Sequence, residues 1–190
     1  MKQTVASALD VPVPPQPRTR PSSRDRATPH QLLVLGIDIA DVVTRAGGLI
    51  CDSVRAGLDV KVCLEAIGDE QALRILGVRA CELPDRFEFE SEWPDAVFFA
   101  AALHERHPGV RRMVAGAARR RCTDAGVWGG LWPLERETGV GIEHRLSTAA
   151  RAFKLHAMQA VGKPAHISPT EPFRSGLRSL ADVPLPLPRR

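Results

Sequence analysis

The sequence predicts one α/β domain, a Rossmann-like doubly wound and mostly parallel sheet, and three observations carry that prediction. Apolar runs of strand length recur between segments with helical spacing, and the loops joining them are short. The turn within QLLVLGIDIADVV, residues 31–43, places two carboxylates where a strand's carboxyl end meets a helix's amino end. In open α/β sheets that crevice is where ligands bind. A chain of 190 residues with 44% hydrophobic content can bury one sizeable core. We therefore expect a domain over residues 30–176, between a disordered Pro/Arg-rich tail at 1–29 and a Pro-rich tail at 177–190.

Taken in order, the first thirty residues hold six of the sixteen prolines and no aromatic residue, so they cannot form an apolar face. Gln31 to Leu35 reads as a buried parallel strand, ended at Gly36 by a sharp turn. Val42, Val43, Ala46, Leu49 and Ile50 share one face of the helix behind it. Residues 59–66 alternate and read as a second strand; 69–76 look helical and close at Gly77; 78–83 make a third strand, stopped by Pro84. Residues 86–93, where charges alternate with phenylalanines, receive no assignment. Asp95 to Ala101 is the clearest later strand, followed by HERH as a polar turn and a helix opened by Pro108. Arg119, Arg120 and Arg121 suit that helix's carboxyl end. A strand over Val127 to Trp132 and a helix over 143–161 complete the pattern. Trp128 and Trp132, flanking Gly129-Gly130, wall a pocket or fill core, and His156 and Gln159 are expected as hydrogen-bonded core groups.

Composition bounds the partners. Lys2, Arg18, Arg20, Arg24 and Arg26 against Asp10 and Asp25 place +3 of the +4 net charge in the first tail. The remainder is close to neutral, which speaks against a nucleic-acid-binding face. The opening residues lack a secretory h-region and no run reaches the 18 apolar residues of a membrane span, so a soluble cytoplasmic protein is expected. Cys51, Cys63, Cys81 and Cys122 have no CxxC spacing and read as reduced, buried residues.

Asp38 and Asp41 have two readings at this point, a functional pair at the crevice or an N-cap with a solvated neighbour. The segments LLVLG-IDIADVV-TRAGGLI, AGLDVKVCLEA, QALRILGVRACELPD, PDAVFFAAALHERH, FKLHAMQ and Thr170-Glu171-Pro172-Phe173 bear on the choice. In this order and spacing they resemble the PIG-L or LmbE-like N-deacetylases, zinc-dependent amidases of N-acetylglucosaminyl lipids, pseudo-disaccharides and related small molecules. The resemblance covers about residues 31–175. Aligned through Gly47 and Gly48, it puts Asp38 in place of a histidine ligand, Ala40 in place of the aspartate base and Asp41 on the aspartate ligand. HERH then places His104 at the catalytic histidine and His107 at the last ligand; the other register, on His107-Pro108, leaves Val110 at the ligand position.

The resemblance thus implies a divalent metal, zinc by family, on Asp38, Asp41 and His107. Asp38 hardens that set and weakens the case for zinc. Loss of a positioned base typically costs about 10²–10⁴-fold in rate. The expectation is a divergent member with a degenerate metal site that binds a small-molecule ligand or a partner without catalysis. The alternative is a metal-dependent N-deacetylase acting on an N-acetylated, sugar-like molecule.

Overall fold

The computed structural model describes residues 30–89, 93–120, 123–133, 139–164 and 166–175. Both expected tails, Arg121 and Cys122 lie outside these residues. In chain order the elements are β1 (Gln31–Gly36), α1 (Ile39–Arg55), β2 (Asp59–Leu64), α2 (Gln71–Ile75), β3 (Ala80–Glu82), β4 (Ala96–Ala100), α3 (Ala101–Arg106), α4 (Pro108–Arg120), β5 (Asp124–Trp128), β6 (Val140–Arg145), α5 (Thr148–Ala160) and β7 (Thr170–Ser175).

The apolar run of β1 makes it the centre of the sheet, because only a strand covered on both faces buries every residue from Leu32 to Gly36. It pairs in parallel with β2 on one side and β4 on the other. The full order is β3-β2-β1-β4-β5-β7-β6, parallel through β5 and then antiparallel at the β5–β7 and β7–β6 pairings. Because β1 leads to β2 in one direction and β4 to β5 in the other, right-handed crossovers put their helices on opposite faces. Accordingly α1, α2 and α5 pack together, while α4 lies against β5. The strand order reverses between β1 and β4, so their adjacent carboxyl ends open a crevice at the switch point.

Four local expectations are corrected. HERH is not a turn: His104 to Arg106 form the end of α3, and His107 follows as its cap. β5 begins three residues earlier than expected and stops where Gly129 takes φ +76°, leaving Trp132 outside any strand. The expected helix over 143–161 is a strand and then a helix. His144 in β6 bonds Asp52 Oδ2 at 3.0 Å, and Ser147, whose oxygen accepts from the Ala150 amide, starts α5. His156 and Gln159 are exposed, since α5 turns Ala150, Lys154, Ala157 and Met158 inward instead.

Lys154 is inside because its charge is spent. Its Nζ lies 2.5 Å from Glu171 Oε1 and donates to the Thr44 carbonyl at 2.8 Å, while Glu171 accepts the Gly48 and Leu49 amides at 2.7 and 2.8 Å. Those amides belong to the interior of α1, where their ordinary acceptors are the carbonyls four residues back. An ammonium thus meets a carbonyl oxygen of the helix and a carboxylate meets two of its amides, so both buried charges are hydrogen-bonded. Gly48 permits the close approach: a Cβ there would stand 2.4 Å from the Leu146 side chain.

Candidate functional site

The crevice is built from the ends of β1, β4 and β5 and the first turns of α1 and α3. Asp38 has extended backbone angles and is the N-cap of α1, its Oδ1 accepting the Asp41 amide at 2.7 Å. Asp41, one turn in, is half-buried and receives Trp128 Nε1 from the end of β5, 3.3 Å from Oδ1 and 3.1 Å from Oδ2. Burial pushes its carboxyl above the ordinary aspartate value of 3.8; the Trp128 and Ile37 hydrogen bonds oppose that rise, and the Asp38 charge adds to it.

On the other side of the sheet, the Phe99 ring lies 6.0 Å from that of His104 and 6.1 Å from that of Trp132. Burial, and then the charge of Arg111, hold His104 below the usual histidine range, so its imidazole is favoured in the neutral form. Trp132 is 8% exposed, and its Nε1 has no hydrogen-bond partner among the described residues. An orphan buried donor is costly unless some group comes to meet it. Gly130 lets the loop after β5 close on α3, since a Cβ there would lie 2.5 Å from that of Ala101. At the rim, Arg106 bonds Glu65 through both nitrogens of its fork. A cavity of about 460 Å³ opens beside Trp128, lined also by Gly129, Gly130, Glu143, Phe173 and Arg174.

His107 stands between α3 and α4. Its Nδ1 accepts the Val110 amide at 3.3 Å and its carbonyl accepts the Arg111 amide, so it caps α4. The structure therefore brings Asp38 and Asp41 together, and engages Asp38 and His107 as caps of separate helices. Among the described residues no group of three His, Cys, Asp or Glu side chains is placed to hold a metal ion. As arranged, Asp41 accepts from Trp128, Asp38 Oδ1 from the Asp41 amide and His107 Nδ1 from the Val110 amide. The residue that sequence reasoning missed is Trp128 as the partner of Asp41. The available signal was its position at the end of the strand after β4, beside two glycines.

No protein-family model matches the sequence. No curated protein sequence matches it. Among solved structures, a deacetylase–teicoplanin complex from the teicoplanin biosynthesis pathway superposes with a TM-score of 0.52 at 13% identity, covering 76% of this chain and 97% of that one. A deacetylase–bog complex from the same pathway gives 0.51 at 13% identity, with the same coverage. Likeness at this identity speaks to architecture, and it agrees with the mixed, mostly parallel sheet flanked by helices: the chain shares the fold of these deacetylases.

Proposed function

We propose that this protein uses the crevice to bind a small-molecule ligand and does not hydrolyse it. The observation that carries the reading is the Trp128 indole donating to both oxygens of Asp41. It commits to a neutral N–H the carboxylate that the family resemblance makes a metal ligand. Asp38 and His107 are spent on helix caps, and Ala40 stands where the resemblance has a base. What remains suits binding: the aromatic face of Trp128 stands beside an open cavity that Glu143, Phe173, Arg174 and the Gly129-Gly130 backbone also line. Such a site takes a ligand that supplies hydrogen-bond acceptors and a flat or ring-shaped face. The likeness to a deacetylase crystallised with teicoplanin supports a small-molecule ligand as against a macromolecular one.

The test uses full-length protein purified without chelator. It should contain less than a tenth of an equivalent of zinc, on the order expected when no three-ligand set exists, and should release no acetate from N-acetylglucosamine. Titration with N-acetylglucosamine should change the tryptophan fluorescence, and Trp128→Phe should remove most of that change. The second reading, favoured by the fold likeness, is a metal-dependent deacetylase that gathers Asp38, Asp41 and His107 around a divalent ion with His104 beside it. Metal-dependent turnover by the wild type, abolished by Asp41→Ala or His107→Ala, would establish that reading and end the first.

A further inference from the structure

At the opposite edge of the parallel region, β3 is held to β2 by three residue pairs, Val62↔Ala80, Cys63↔Cys81 and Leu64↔Glu82. The two cysteines, 18 residues apart in sequence, are therefore direct neighbours, and their sulfurs lie 2.8 Å apart. Two thiols in van der Waals contact stand farther apart than this. Adjacent strands are spaced about 4.7–4.9 Å, inside the Cα separation of about 4.4–6.8 Å that a disulfide spans. We infer that Cys63 and Cys81 are a redox site, a dithiol that closes to a disulfide within the folded domain and staples the edge strand β3 to β2.

The order of events follows from access. Cys63 is 1% exposed, and burial, then its contact with Cys81, pushes its thiol up to about 12, whereas Cys81 is only half-buried. The thiolate is the nucleophile in thiol–disulfide exchange, so Cys81 reacts first. With a low-molecular-weight disulfide such as oxidised glutathione as oxidant, Cys81 Sγ gives up its proton to solvent and attacks one glutathione sulfur. A mixed disulfide forms and one glutathione thiolate leaves. Cys81 is then no longer the thiol whose hydrogen bond and charge held up the Cys63 proton. Cys63 Sγ loses that proton, attacks Cys81 Sγ and expels the second glutathione thiolate. Two protein thiols have been oxidised, and one glutathione disulfide has been reduced to two thiols, which take up the two protons. A tie at this edge also removes the freedom of a three-residue strand whose outer side has no strand partner among the described residues.

The experiment exposes native full-length protein to excess oxidised glutathione, quenches it by alkylation and maps the peptides by mass spectrometry. Free thiols should fall from four to two, with Cys63 linked to Cys81. The oxidised protein should melt several degrees higher than the reduced one and return on adding dithiothreitol. Cys63→Ser should accumulate a stable glutathione adduct on Cys81, while Cys81→Ser should be modified at Cys63 roughly tenfold more slowly or not at all. Four thiols that all stay free in native protein, under conditions that oxidise the urea-unfolded chain, would overturn the assignment. So would a disulfide formed instead with Cys51 or Cys122, and both readouts come from wild type, independent of how the variants fold.

Discussion

Asp41 shows how one carboxylate answers to two opposed effects. Burial raises its pKa above 3.8 and the Trp128 hydrogen bond lowers it, with burial the larger. A folded-state pKa above the unfolded one means that the folded chain holds this proton more tightly. The stability so contributed is whole below 3.8 and lost as pH rises through the raised folded value. Asp41→Asn does not titrate, so its stability relative to wild type should increase from pH 3.5 to pH 7, read from urea unfolding at each pH. A flat difference would show that the carboxyl is unperturbed. Trp128→Phe removes a hydrogen bond to a charged group and should cost about 1.5–3 kcal/mol at neutral pH. The same change should move the Asp41 titration, followed by carboxyl NMR, further upward. The pair of aspartates and the cap reading of Asp38 were legible locally, because capping is a matter of residues three apart. The Trp128 contact was not, since 87 residues separate it from Asp41 and no local period encodes that distance.

At the scale of elements, α1 is the helix on which the rest converges. Asp52 near its end receives His144 from β6 and both the amide and hydroxyl of Ser147, the latter at 2.5 Å, so the start of α5 is fixed to it at the same point. Glu171 and Lys154 reach its middle, both buried, and a buried pair is judged by what its loss leaves behind. Glu171→Ala strands a buried ammonium and should destabilise by about 3–5 kcal/mol in urea unfolding; the double change Lys154→Met/Glu171→Met should recover a large part of that loss. If the double variant is as unstable as the single, stranded charge is not the cause. Gly48→Ala, which drives a methyl into Leu146, should cost about 1–3 kcal/mol, and Leu146→Ala in the same chain should relieve the clash though not the lost burial. The period of α1 and the apolar run of β1 could be read directly because packing and propensity agree there. β6 could not: its inward residues are Ile142 and His144, and the histidine is paid for by a partner 92 residues distant. β7 carries Pro172, which has no amide hydrogen to give, at a point beyond its pairing with β5, which is made at Val127↔Arg174.

For the whole molecule, the question is where the folded unit begins. Residues 1–28 carry no aromatic side chain and are dense in proline and arginine, so their removal takes little apolar surface from the fold. His30 and Gln31 are different. The Asp59 amide donates to the His30 carbonyl at 2.9 Å, the Gln31 amide donates to Asp95 Oδ2 at 2.7 Å, and Gln31 is the first residue of β1 in register with Asp59. These contacts join the amino ends of β1, β2 and β4, the three strands whose opposite ends make the crevice. A chain lacking residues 1–28 should therefore keep its thermal midpoint within about 2 °C of the full chain, while one lacking 1–31 should fall by about 2–4 °C for each kcal/mol that these bonds supply. The His30–Asp95 ion pair, 3.1 Å long but with side chains 77% and 52% exposed, should account for little of the difference, so His30→Ala in the shorter chain should be nearly silent. A drop of many degrees on removing 1–28 alone would mean that the arm docks on the domain. Equal midpoints for both truncations would instead put the start of the folded unit beyond Gln31, and with it the register that aligns β1 with β4 at the crevice.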